Sequence, residues 1–136
     1  MNNFLIVIGL IVLLAGAGIF LMLGQHSDDE APGGNQNIRV LVENGKITPK
    51  QIEMSSQWPA ILIFHNLSSQ KHDLVIKRLD DQGKETEEIR HLEIDASDSM
   101  NIRLKLAPGE YILYCTISQG EHSHRKDGEE AKIIVQ

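Results

Sequence analysis

Phe4 to Gly24 reads FLIVIGLIVLLAGAGIFLMLG, a run of 21 residues without one ionisable side chain. As a helix rising 1.5 Å per residue it would be roughly 30 Å long, the hydrocarbon thickness of a bilayer. A cylinder apolar on every side has no place as a core helix here, because too little chain follows to wrap it. The expectation is a single transmembrane helix over residues 1–24. The competing reading is a cleaved secretory signal. Against it, the run exceeds the usual apolar core of about 7–15 residues and no Lys or Arg precedes it. The one A-x-A match, Ala15-Gly16-Ala17, also lies inside the run. Basic flanks that would orient the helix are absent. With only two asparagines between Met1 and the apolar run, the simpler topology puts the rest of the chain on the extracytoplasmic side of the cell membrane, periplasmic or extracellular. Residues 25–37 (QHSDDEAPGGNQN) cannot bury an apolar face and read as a flexible tether.

From Ile38 onward about 99 residues remain, enough for one small core. Ile38 to Val42 reads as a strand, followed by the turn signal Asn44-Gly45. Pro49 makes residues 47–54 an edge or an irregular crossing. Residues 60–66 (AILIFHN) form a nearly continuous apolar run that suits a central strand, and residues 73–77 (DLVIK) a short one. Met100, Ile102, Leu104 and Leu106 alternate with polar residues at a period of two. Tyr111 to Ile117 follows the turn Ala107-Pro108-Gly109, and Ala131 to Val135 comes last. Strands about every 8–12 residues, with turn chemistry between them, predict an all-β Greek-key β-sandwich over 38–136.

Thirteen Lys and Arg against 19 Asp and Glu leave a net charge of −6, with no basic block, so no nucleic-acid partner is expected. Six aromatic residues are also too few to suggest a base-stacking surface. The single Cys excludes an intrachain disulfide. In an oxidising compartment a lone thiol is either buried and inert or held by a metal. Cys115 is followed by a polar loop carrying His122 and His124. One soft sulfur and two borderline imidazoles suit copper or zinc, and composition does not choose between the two.

Three segments together resemble the cupredoxin family. The first is Asn66 to Ile76 (NLSSQKHDLVI), set against the family's N-x5-H-[DN]-x-x-[IV]. The second is Pro108 to Cys115 (PGEYILYC), against P-G-x-Y-x-x-x-C. The third is His124 to Val135 (HRKDGEEAKIIV), against H-x3-G-M-x-G-x3-V. The resemblance covers residues 38–136 and is nearest to small bacterial and archaeal cupredoxin-like domains. It implies a Greek-key sandwich holding one copper ion, with His72, Cys115 and His124 as the trigonal ligands of a type 1 or modified type 1 site. Two departures stand out. Glu129 occupies the place of the weak axial Met; a carboxylate is harder and would favour Cu(II) and lower the potential, or else Glu129 is a solvated turn residue. Eight residues separate Cys115 from His124, a longer interval than the family's, which leaves His122 as a rival ligand, although the Gly128 frame favours His124.

Other singled-out residues have plainer readings. His65 satisfies a buried hydrogen bond, and His26 and His91 lie at the surface. Trp58 packs at a strand entry and Met100 packs in the core. Asn66 stays buried, bonding backbone across the ligand loops. Glu85 to Arg90 is a solvated loop or edge. The alternative to His72 as a ligand is a strand-end pair with Asp73. Taken together, these features predict a membrane-anchored copper electron carrier serving a membrane redox protein, and not an enzyme. The alternatives are copper capture and delivery, or a metal-free interaction module.

Overall fold

Alternation of buried and exposed positions organises the domain. In the computed structural model, which describes residues 34–43 and 45–136, all regular structure is strand. The predicted transmembrane helix, and the tether as far as residue 33, lie outside the described residues. The strands are β1 (Gln36–Glu43), β2 (Lys46–Thr48), β3 (Gln51–Met54), β4 (Ala60–Asn66), β5 (His72–Leu79), β6 (Glu85–Ile94), β7 (Ser99–Leu104), β8 (Gly109–Cys115), β9 (Ser118–Gln119), β10 (His122–Ser123) and β11 (Glu130–Val135). One sheet has the order β2-β1-β4-β7 and a second the order β3-β11-β8-β5-β6, while β9 and β10 form a small separate hairpin. β1 runs parallel to β4, and β3 parallel to β11; the remaining pairs are antiparallel.

Val40, Val42, Leu62 and Phe64 from the first sheet meet Leu74, Ile76, Tyr111, Leu113 and Ile133 from the second in one core. β4 sits between two neighbours, as its continuous apolar run predicts, and buries Ala60, Leu62, Phe64 and Asn66. Pro49 marks the place where the chain leaves the first sheet after β2 and enters the second at β3. Without an N–H, proline cannot extend a ladder, so the sheet change falls there. Tyr111 Oη donates to the Ala107 carbonyl at 2.9 Å, fastening the Pro108-Gly109 turn to the strand that carries the cysteine.

Several sequence expectations need correction. β1 begins at Gln36, inside the stretch read as tether, because the Gln36 amide donates to the Ser55 and Trp58 carbonyls and accepts from the Ser55 N–H. Of the two readings of the charged segment from Glu85, loop or edge, the edge holds: it starts the ten-residue edge strand β6. Five of its ten residues are Glu or Arg, charges that discourage association at an edge and that obscured its periodicity. The cysteine strand stops at Cys115, short of Ile117. Trp58 is 38% exposed, so it is not a fully packed residue.

Candidate metal centre

Strand pleating decides which side chains meet. On β5 His72, Leu74 and Ile76 share the inner face, while Asp73 and the buried Val75 point to the other. There Asp73 bonds the His91 ring and accepts from Thr116 Oγ1 at 2.7 Å, so His72 is not the partner of Asp73. On β8 the inward residues are Tyr111, Leu113 and Cys115, and Cys115 lies opposite Leu74 on β5. His72 and Cys115 thus share the interior face of adjacent strands, at the same end of the sheet. The segment between β10 and β11 supplies the rest: Glu129 N–H donates to the His124 carbonyl at 2.9 Å, and Cys115 N–H donates to the Glu129 carbonyl at 3.0 Å.

The ligand-capable atoms of His72, Cys115, His124 and Glu129 all lie within 4.8 Å of one another. His72 Nδ1 is 2.8 Å and His124 Nδ1 3.1 Å from Glu129 Oε2. Cys115 Sγ is 3.8 Å from His72 Nδ1 and 3.6 Å from His124 Nδ1. Two N or O ligands about 2 Å from a shared tetrahedral ion lie about 3.3 Å apart, and a sulfur about 2.3 Å from the ion lies about 3.5 Å from them. These four side chains therefore fit one first-row metal ion with small adjustments. His122, the rival candidate, is exposed on β10 and outside this group. The β9–β10 hairpin accounts for the long interval: it carries His122 outward and returns the chain inward at His124.

Glu129 is 2% exposed, which excludes the solvated-turn reading, and its Oε1 accepts from Gly45 N–H at 3.0 Å. Ser68 Oγ lies 2.8 Å from His72 Nε2 and 2.8 Å from Asn66 Oδ1. The hydroxyl has one proton, and both Asn66 Oδ1 and the Gln70 carbonyl are in reach to accept it. Its lone pair is then free to accept from His72 Nε2–H, the tautomer in which the Nδ1 lone pair would face a metal ion shared with Glu129 Oε2 and Cys115 Sγ. Asn66 is buried as expected. Its amide spans to the Gln70 and Asp95 carbonyls at 2.7 and 2.8 Å, tying the His72 loop to the turn after β6. Burial pushes the Cys115 thiol above its ordinary value, and the Glu129 charge adds to this, against the backbone amides of Ile117 and Asp73. Partial burial also works against ionised Asp73, but the Thr116 hydroxyl and His91 outweigh it and hold the carboxyl below the usual range.

Ser68 and Gly45 are the contributors that sequence reasoning missed. An Asn-x-Ser pair just before a histidine is a local hint for Ser68. Gly45 reads locally only as half of a turn signal, and nothing there points to its partner 84 positions away. His65 bonds Ser99 Oγ at 2.7 Å and His91 is exposed, so both stand apart from the centre. Met100 packs against the core and is not among the gathered ligands.

A family model described as a cupredoxin-like domain matches residues 11–135. No curated protein matches the sequence. Among solved structures, the fold is similar to dithionite-reduced auracyanin from Roseiflexus castenholzii, with a TM-score of 0.61 and 19% identity over 76% of this chain and 99% of that one. It is also similar to auracyanin A, a "blue" copper protein from Chloroflexus aurantiacus, with a TM-score of 0.60 and 15% identity over 76% of this chain and 100% of that one. A purple cupredoxin from Nitrosopumilus maritimus gives a TM-score of 0.51 and 17% identity over 73% and 99% of the two chains.

Proposed function

The chain belongs to the cupredoxin-like domain family, and on that premise we propose that it is a membrane-tethered copper protein that passes single electrons at the outer face of a cell membrane. The observation that carries the reading is the convergence of two imidazole Nδ1 atoms, one thiol and one carboxylate within 4.8 Å. A copper ion held by His72, Cys115, His124 and Glu129 would supply a one-electron couple there. The protein's own part is to keep the ligand set unchanged as charge arrives and leaves. His72 is fixed from behind by Ser68, and Cys115 and Glu129 are joined through the backbone. His72, Cys115 and Glu129 are buried, whereas the His124 side chain is 19% exposed. A redox partner therefore meets the centre at the His124 edge. The apolar segment 4–24 and the tether would hold the domain at the membrane, raising its effective concentration beside a membrane redox protein.

Copper capture and delivery is the second reading, and Glu129 is the observation that favours it. A hard carboxylate where the family has a thioether makes Cu(II) the better-held state. Cu(II) added to the full-length protein in detergent should give a thiolate-to-copper charge-transfer band that bleaches with reductant and is absent in Cys115→Ser. A colourless wild-type sample overturns both readings. A band with a midpoint potential beyond the reach of biological carriers, and with fast copper release to a chelator, selects delivery over electron transfer.

A further inference from the structure

Glu129 has two oxygens, and they face different things. Oε2 lies beside both Nδ1 atoms, while Oε1 accepts from Gly45 N–H at 3.0 Å. Gly45 precedes β2 in the first sheet, far from the ligand loop in sequence. It reaches Glu129 because two glycines touch. Gly128 has φ +113° and Gly45 φ +77°, and a Cβ built on Gly128 would lie 2.6 Å from the Gly45 carbonyl oxygen. A side chain at 128 would therefore push residue 45 away from the carboxylate. Lys50 Nζ also bonds the carbonyls of Gly128 and Glu130, holding that stretch from the other side. The Glu129 backbone is itself fixed to His124 and Cys115, so little beyond side-chain rotation remains to be set.

We infer that the Gly45 backbone amide is a positioning group for the metal centre: it holds Glu129 Oε1 and leaves Oε2 as the one carboxylate oxygen facing the histidine and cysteine ligands. The ligand role of Oε2 rests on the proposed copper site; the orientation of the carboxylate does not. Glu129 is thereby a single-oxygen ligand whose reach toward the ion is set by the contact between the first sheet and the ligand loop. Gly45 is half-buried and Glu129 buried, so a group at position 129 that turns oxygen toward the Gly45 N–H keeps a hydrogen bond that an NH2 group there would lose.

That preference makes glutamine a diagnostic replacement. In Glu129→Gln the amide oxygen turns to Gly45, so the NH2 group, which has no lone pair to give, faces the metal. Wild type, Glu129→Gln and Glu129→Ala would be compared as full-length protein in detergent. Copper-loaded samples are read by electron paramagnetic resonance and visible absorption, and metal-free samples by amide exchange at Gly45. The expected result is that Glu129→Gln and Glu129→Ala give the same copper spectrum, distinct from wild type. Gly45 exchange should quicken about tenfold or more in Glu129→Ala and stay slow in Glu129→Gln. A Glu129→Gln spectrum unlike that of Glu129→Ala overturns the inference, because glutamine would then be presenting oxygen to the ion. Unchanged Gly45 exchange in Glu129→Ala overturns it too. If wild type forms no charge-transfer band but Gly45 exchange responds as described, the copper reading falls and the orientation of the carboxylate stands.

Discussion

Cys115 shows how one side chain carries a pH dependence. Burial raises its pKa above the ordinary value of 9.0, so the metal-free protein keeps the thiol proton throughout the neutral range. A metal binds the thiolate and must displace that proton. Affinity then rises with pH up to the raised thiol value, and the thiol alone contributes about tenfold per pH unit. Copper competition against a chelator of known pH dependence, across neutral to alkaline pH, should show this slope extending past pH 9.0, and Cys115→Ser should lack it. Ser68 is the second telling residue. Ser68→Ala removes the acceptor for His72 Nε2–H inside a fully buried pocket. The expected cost is about 1–3 kcal/mol in thermal unfolding of the metal-free protein. Copper affinity should fall about 10–100-fold as the ring loses its fixed tautomer and orientation.

Among the elements, the segment from Cys115 to Glu129 is held down by its own flank. Arg125, next to His124, lies over the Tyr114 ring at 3.8 Å and bonds Glu85 Oε1 at 2.5 Å and Glu130 Oε2 at 2.9 Å. Tyr114 Oη also donates to Glu85 at 3.1 Å, so β6, β8, the ligand loop and β11 are joined on the outer face of the second sheet. Burial opposes the charge on Glu85, but Arg125 and Tyr114 hold its carboxyl below the usual range. Because these groups are partly exposed, Arg125→Ala should cost only about 1 kcal/mol of stability. Its larger effect should be kinetic. Copper release to a chelator should accelerate severalfold, with the charge-transfer band unmoved, because Arg125 touches none of the four ligands. His122→Ala, on the exposed β10, is the control expected to leave both release and spectrum unchanged.

At the scale of the molecule, the centre lies where four separate stretches of chain converge: the inner face of β5, the end of β8, the return from the β9–β10 hairpin, and the turn before β2. The succession of strands along the chain, the period-two alternation at 100–106 and the run of motifs around His72, Cys115 and His124 were legible in residues 60–77 and 100–135, because alternation and turn chemistry are local properties of sequence. β6 was legible only as a loop or an edge, since five of its ten residues are Glu or Arg and blur the alternation. The Gly128 frame already favoured His124 over His122, but the burial of Glu129 and the service of Ser68 and Gly45 depended on which distant backbones lie together. His122 and His124 are two residues apart and chemically alike; the pairing of β9 with β10 is what turns one outward and the other in. Sequence by itself thus determined the sandwich and the kinds of candidate ligand it brings, because both are written in short-range patterns of residue type. Tertiary structure alone decided which atoms face each other, because a hydrogen bond such as Gly45 to Glu129 joins groups 84 positions apart that have no local relation.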